Sequence, residues 1–112
     1  MKAQDKLVVA LSTFPEKRRA EQIARTLVSE RLAACVWVFP KMRSFYQWKE
    51  KTVGENEHLM VLKTRFSLVH SLEKRLHELH PYSVPEFVVI PTSHVSRKYF
   101  EWAMSVTGGK GR

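Results

Sequence analysis

The chain has 112 residues, of which 44% are hydrophobic and 27% charged, and its 19 basic and 11 acidic side chains give a net charge of +8. This length and composition predict one folded domain with a single core and exclude a disordered chain. The longest apolar run, 33–39, is too short to span a membrane and no signal-type segment follows the first residues, so we expect a cytoplasmic protein without a membrane partner.

The first part of the chain predicts a strand, a helix and a second strand. The apolar run 7–11 is typical of a buried strand, and Thr13 with Glu16 forms a capping-box pattern that predicts a helix start. Residues 33–39 predict the second strand, which Pro40 interrupts. Between them, apolar residues at helical spacing form a stripe that faces a sheet: Ala20, Ile23, Ala24, Leu27 and Val28.

The middle of the chain predicts a long hairpin followed by a second helix. Residues 44–48 and 58–64 have the aromatic and apolar content of strands, and the polar stretch 49–56 predicts their exposed connection. From Ser67 the leucines return to helical spacing, and Pro81 ends this helix.

The last part predicts a strand at 84–91 and a short closing helix that begins at Ser96. We therefore expect a single domain, residues 1–107, and a flexible glycine-rich tail, residues 108–112. The order strand, helix, strand, strand, helix, strand predicts an α+β, ferredoxin-like βαββαβ fold. In this fold an antiparallel sheet carries two helices on one face, and here a C-terminal helix is added.

The other face of this sheet has no cover from its own chain. Alternate positions of 33–39 and 59–62 make that face apolar, which predicts burial by further copies of the chain. We expect a homo-oligomer, and the residues that we assign to its interface are Cys35, Trp37, Phe45 and Trp102.

The segment 80–86, with the sequence His-Pro-Tyr-Ser-Val-Pro-Glu, combines two stiffening prolines with titratable side chains. His80 and Glu86 suit a divalent ion such as Cu²⁺ or Zn²⁺, and His77 lies about one helical turn before His80. These three residues are the candidate metal ligands. Two alternatives stay open: His80 binds a backbone group near the helix end, and Glu86 pairs with a basic side chain.

Six short motifs occur in order along the chain: residues 12–15, 32–36, 44–48, 62–64 and 80–86, and Tyr99 with Trp102. Together they resemble the CutA or divalent-cation tolerance family. The resemblance implies a small ferredoxin-like trimer, structurally related to the PII-type signalling proteins and associated with copper binding and tolerance to metal ions. Metal sites proposed in the family also use a thiol near the first strand and a histidine directly before the His-Pro pair, where this chain has Ser12 and Leu79.

No nucleophile with an adjacent base and no glycine-rich phosphate loop is recognisable, so we expect a protein that is not an enzyme. The leading hypothesis is a homotrimer that binds a divalent cation or a small ligand at clefts between subunits. The cleft residues, beside the metal ligands, are Tyr46, Trp48, Lys51, Lys63 and Tyr82.

Three alternatives remain from the sequence. The first is a PII-like sensor of a small anionic metabolite, and the second is a purely structural assembly. The third is a nucleic-acid-binding domain, which the basic charge favours, but the paired-aromatic motif of RNA-recognition domains is absent. We therefore regard nucleic acid as the weaker choice of partner.

Overall fold

The computed structural model describes residues 5–109, which form five strands and three helices around one sheet. The strands are β1 (Leu7–Phe14), β2 (Cys35–Val38), β3 (Met42–Trp48), β4 (Lys51–Arg65) and β5 (Val88–Pro91). The helices are α1 (Lys17–Ser29), α2 (Val69–Leu79), which follows a 3₁₀ turn at Phe66–Leu68, and α3 (Arg97–Ser105). No helix within residues 5–109 is long and apolar enough to cross a membrane.

The sheet has the strand order β2-β4-β1-β5, and all neighbours are antiparallel. β1 pairs along its whole length with the second half of β4, from Leu7 opposite Arg65 to Phe14 opposite His58. The first half of β4 pairs with β3 and forms a two-stranded hairpin beyond the main sheet. This topology confirms the predicted α+β, ferredoxin-like fold.

The core lies between one face of the sheet and the helices α1 and α2. Side chains alternate between the faces of a strand, so the even-numbered residues of β1 and their partners on β4 point to the same side. The predicted apolar stripe of α1 packs there, except that Val28 is 40% exposed. The buried core residues are Ala10, Phe14, Ala20, Ile23, Ala24, Leu27, Met60, Leu62, Leu72 and Leu76.

Helix α3 packs at one end of the opposite face, where Ala103 contacts Leu7 and Ala34. Arg65, near the end of β4, holds the end of this helix: its Nε donates to Thr107 Oγ1 at 3.0 Å and its Nη2 to the Thr107 carbonyl at 2.9 Å. The Arg65 guanidinium also donates to the carbonyl of Met104. The closing helix is therefore fixed to the sheet by a cationic side chain as well as by apolar contact.

The rest of this second face is open and apolar, as predicted. Trp37 on β2 is 48% exposed, and Val88 and Ile90 on β5 are 48% and 45% exposed. The register places Val9 opposite Ile90 and Leu11 opposite Val88, so these side chains form one continuous surface across β1 and β5.

The hairpin connection differs from the prediction. The polar residues 51–56 belong to β4, and the turn consists of Lys49 and Glu50, whose φ angles of 50° and 65° match a two-residue hairpin turn. The hairpin extends away from the core, since the domain measures 50 × 27 × 23 Å. A strand outside the core needs no apolar alternation, and so the polar sequence of 51–56 resembled a loop.

The predicted capping box is wrong. β1 continues through Phe14, which is fully buried in the core, and α1 begins at Lys17 with Glu16 as a cap residue that makes no side-chain hydrogen bond. β5 also begins later than predicted, at Val88, because residues 80–87 form an irregular connection. Burial of Phe14 thus outweighed the local capping signal.

The predicted tail lies partly outside the described residues, because 110–112 are not among them. Gly108 has a φ of 74°, its N–H donates to the Arg31 carbonyl at 2.9 Å, and Arg31 Nε donates to the Gly108 carbonyl at 2.7 Å. The first tail residue is therefore attached to the end of α1, and the flexible tail as a whole stays a prediction.

The neighbouring positions Leu27 and Val28 test this description of the core. We expect Leu27→Ala to lower the free energy of unfolding by about 3 kcal/mol, because a fully buried side chain leaves a cavity. Val28→Ala on the exposed side of α1 serves as the control and should cost less than about 1 kcal/mol. Urea unfolding of both variants measures the difference, and equal losses would contradict the assignment of the helix face.

Candidate functional site

A cleft of about 740 Å³ lies between the β3–β4 hairpin and the segment that follows α2. One side of the cleft is a face of the β3–β4 hairpin, on which Tyr46 lies opposite Val53 and Ser44 opposite Glu55. Its other side is the proline-containing segment 82–86. The lining residues are Thr13, Ser44, Phe45, Tyr46, Trp48, Val53, Glu55, Glu57, Tyr82, Ser83, Val84, Pro85 and Glu86.

His80 fixes the segment that forms this second side. The helix α2 ends at Leu79, and His80 takes the extended backbone that a following proline favours, with ψ of 139°. Its ring is 8% exposed and stacks on Phe14 with the ring centroids 4.1 Å apart. Nε2 donates to the Thr13 carbonyl at 2.8 Å, and Nδ1 accepts the Tyr82 N–H at 3.1 Å. The neutral ring with its proton on Nε2 satisfies both bonds.

Burial lowers the pKa of His80 below its ordinary value of 6.5, and the nearby His77 lowers it further, whereas the bond to Thr13 and the charge of Glu57 act in the opposite direction. Protonation would turn Nδ1 from an acceptor into a donor that faces the Tyr82 N–H, so it would break that bond. The structure therefore requires a neutral His80.

Glu57 is the most enclosed carboxylate of the cleft, with 5% of its surface exposed. Tyr82 Oη donates to its Oε2 at 2.7 Å. Among residues 5–109, no lysine, arginine or histidine lies within ion-pair distance of Glu55, Glu57 or Glu86. The cleft thus contains three carboxylates and no cationic partner for them from the described part of the chain.

The pKa shifts in the cleft have two causes, burial and the neighbouring carboxylates. Burial, and then the charge of Glu57, raises the pKa of Glu86. Glu55 raises the pKa of Tyr46 to about 12, chiefly through a hydrogen bond, and burial together with Glu57 raises that of Tyr82. Each shift disfavours a further negative charge in the cleft.

Of the predicted cleft residues, Tyr46, Trp48, Tyr82 and the candidate ligand Glu86 lie together in this cleft. Lys51 is exposed at the tip of the hairpin opposite Trp48 and does not line it.

Lys63 is on the open sheet face, where its Nζ lies 3.8 Å from the centre of the Trp37 ring and donates to Tyr99 Oη at 3.2 Å. Cys35 and Trp37 are on the same face, because their register partners on β4 are Lys63 and Val61.

The candidate metal ligands do not converge within one chain. His77 is exposed and its ring edge faces Phe87, with the ring centroids 6.5 Å apart. Both ring nitrogens of His80 already make hydrogen bonds. Within the described range no group of three or more His, Cys, Asp and Glu side chains is arranged to hold a metal ion. Ser12, where the resemblance implies a thiol, is fully buried and so unavailable to the cleft.

The two remaining interface candidates are exposed in the single chain. Phe45, on the hairpin, is 70% exposed and lies against Gly54, where an added Cβ would be 2.7 Å from the ring atom Cε1. Glycine at position 54 thus allows the ring to lie flat on β4. Trp102, on α3, is 44% exposed and packs at a tilt against Tyr99.

Sequence reasoning missed Glu55 and Glu57. They are two residues apart on a strand and therefore share a face, a signal that becomes visible only when 51–57 is recognised as part of β4.

Comparison with known proteins gives a consistent result. The family model described as "CutA1 divalent ion tolerance protein" matches residues 8–106. A "Divalent-cation tolerance protein CutA" of Thermus thermophilus is 41% identical over 100 residues, which are 89% of this chain and 97% of that protein. A mouse "Protein CutA" is 40% identical over 98 residues, which cover 88% of this chain but 55% of the longer mouse protein. The crystal structure of CutA from Xylella fastidiosa superimposes with a TM-score of 0.89 at 35% identity, over 92% of this chain and 99% of that one.

His80 bonds to both Thr13 and Tyr82 only as a neutral ring, so the stability of the fold should depend on pH. In the unfolded chain the histidine pKa has its ordinary value of 6.5, and in the folded chain it is lower. The unfolded state therefore binds the proton first, so the free energy of unfolding should decrease as the pH falls below about 6.5 and stay constant with respect to this group above it.

Urea unfolding at several pH values between 5 and 8 measures this effect. His80→Gln keeps a donor near the Nε2 position but cannot titrate, so its stability should fall less at low pH than that of the unchanged chain. The control is His70→Gln, on the exposed side of α2, which should retain the full pH dependence. If the His80→Gln variant shows that same dependence, another group is responsible.

Proposed function

The chain belongs to the CutA1 divalent ion tolerance protein family, and from this premise we propose that it is a non-enzymatic cation-binding protein that works as a homotrimer in the cytoplasm. Its binding site is the cleft beside the β3–β4 hairpin. The observation that carries the proposal is the group of three carboxylates, Glu55, Glu57 and Glu86, with no cationic partner in the described part of the chain.

The lining of the cleft favours a cation over an anionic metabolite. An anionic ligand would bring further negative charge next to a buried carboxylate, where the low dielectric makes like charges costly. A divalent cation such as Cu²⁺ or Zn²⁺ would reverse this repulsion. Because residues 5–109 of one chain do not supply three converging ligands, a tightly held metal ion would need a further ligand from a neighbouring copy.

Two metal sites compete within this proposal. One is formed by the carboxylates of the cleft. The other consists of His77, His80 and Glu86, and it requires that His80 gives up its bond to Thr13 or to Tyr82. We favour the carboxylates because Glu55 and Glu57 already line the open cleft.

Self-association follows from the open sheet face. Trp37, Val88 and Ile90 expose about half of their surface, which is costly in water and is removed when copies pack together. The trimeric state is the expectation that the family resemblance adds. Nucleic acid is the less suitable occupant of this face, because its apolar side chains and Lys63 offer few contacts to phosphates, and Arg65 on the same face is already bonded to Thr107.

A charge placed on the open face tests the assembly. We expect the unchanged chain to sediment as a trimer, with three times the 13.1 kDa mass of one chain. Ile90→Lys should shift the distribution of sedimenting species toward single chains. Val28→Lys adds the same charge to the outer side of α1 and should leave the trimer intact. Analytical ultracentrifugation distinguishes the two, and a trimer that survives Ile90→Lys would contradict the proposed interface.

Thermal melting of the metal-stripped protein tests cation binding. We expect Cu²⁺ or Zn²⁺ to raise the melting temperature by a few degrees, because a ligand of the folded state stabilises it, and citrate to have no such effect. Glu57→Gln, which keeps the shape but removes the charge, should abolish the shift.

His77→Gln identifies the competing histidine site, because His77 is exposed and its replacement leaves the core untouched. A shift that disappears in His77→Gln but persists in Glu57→Gln would move the site to the histidines. Stabilisation by citrate instead of cations would overturn the proposed function.

A further inference from the structure

We infer that the cleft binds an aliphatic diamine or polyamine, that is, a chain of methylene groups with an ammonium group at each end. This inference rests on the proposed function of the cleft as a cation site and specifies the chemical class of the cation. Three features of the cleft support it: the spacing of its carboxylates, the apolar and aromatic surface beside them, and the uncompensated charge of Glu57.

The carboxylates are spaced along the cleft and do not surround one point. Glu55 and Glu57 are two positions apart on β4, a separation of about 6.6 Å along the strand. Glu86 is on the opposite side of the cleft, in the segment after α2. A single metal ion needs ligands that converge at about 2 Å from one centre, and the described residues form no such group. Two ammonium groups separated by a few methylene groups match the observed spacing.

The hairpin side of the cleft offers a surface for the methylene chain. Trp48 and Val53 follow Glu55 toward the hairpin tip on the same face, and Tyr46 lies opposite Val53. Trp48 is 46% exposed and Tyr46 is 37% exposed, so both rings are accessible. Aromatic rings attract ammonium groups through their negative faces and also pack against methylene groups. A hydrated metal ion would gain little binding free energy from contact with this apolar and aromatic surface.

Glu57 is the carboxylate best suited to bind an ammonium group, because it is 95% buried, lines the cleft and forms no ion pair within residues 5–109. Within residues 5–109, its one hydrogen bond from a side chain comes from the phenol of Tyr82. A buried carboxylate without a cationic partner is expensive, and the same enclosure makes a charge-assisted bond to an incoming ammonium group strong. We therefore place one ammonium group of the ligand at Glu57 and the other at Glu55.

Isothermal titration calorimetry with putrescine and spermidine tests the inference. We expect both amines to bind the metal-stripped trimer, and butylamine, which has one ammonium group, to bind at least tenfold more weakly. Glu57→Gln should weaken putrescine binding at least tenfold, and so should Glu55→Gln, which is less buried and keeps the inference testable if the first variant folds poorly. Glu21→Gln removes an equal charge from the exposed side of α1 and should leave the affinity unchanged.

The outcomes separate this inference from the proposed function. If Cu²⁺ or Zn²⁺ binds with dependence on Glu57 while no amine binds, the cleft is a metal site and the diamine inference is wrong. Equal binding of putrescine to the unchanged chain and to Glu57→Gln would also overturn it, because the contact is then elsewhere. If neither cation class binds and Glu57→Gln instead breaks the trimer, a basic side chain of a neighbouring copy occupies the cleft and both proposals fail.

Discussion

The arrangement of the cleft depends on one buried imidazole. His80 joins two chain segments at once, because Nε2 donates to the carbonyl of Thr13 near the end of β1 while Nδ1 accepts from the backbone of Tyr82. Tyr82 then bonds to Glu57 on β4. The series Thr13, His80, Tyr82, Glu57 connects the end of β1, the segment after α2 and the base of the hairpin. A neutral imidazole suits this position because it offers one donor and one acceptor in the same ring plane.

This role of His80 also limits what the ring can do in chemistry. A nitrogen that ligates a metal cannot at the same time bond to Thr13 or Tyr82, so ligation would loosen the segment that carries Glu86, another candidate ligand. The two uses of the residue oppose each other, which is why we place the cation at the carboxylates. The sequence left a backbone bond open as the alternative use of His80, and the structure contains such bonds, to Thr13 and Tyr82.

The helices, the fold class and several residues of the cleft were predictable from the sequence, but its carboxylates Glu55 and Glu57 were not. α1 and α2 face the core along stripes with helical spacing, and such stripes are a strong signal because burial enforces them. The hairpin is outside the core, so no burial pattern marks residues 51–57 as a strand. The sequence therefore did not reveal that Glu55 and Glu57 lie on the same face of that strand. The position of Lys63 was missed for a related reason: Lys63 and Trp37 meet only through the register of β2 with β4, two segments far apart in the chain.

The positive net charge does not contradict an acidic cleft, because the two act over different distances. Basic residues such as Lys17, Arg18 and Arg25 are on the exposed side of α1 and repel cations only weakly at physiological ionic strength, where the Debye length is about 8 Å.

Inside the cleft, Glu57 is shielded from solvent and its field is screened much less. A cation that reaches the cleft therefore interacts mainly with the local carboxylates, and the charge of the whole chain chiefly slows its approach. For the proposed site, the local carboxylates therefore matter more than the net charge of the chain.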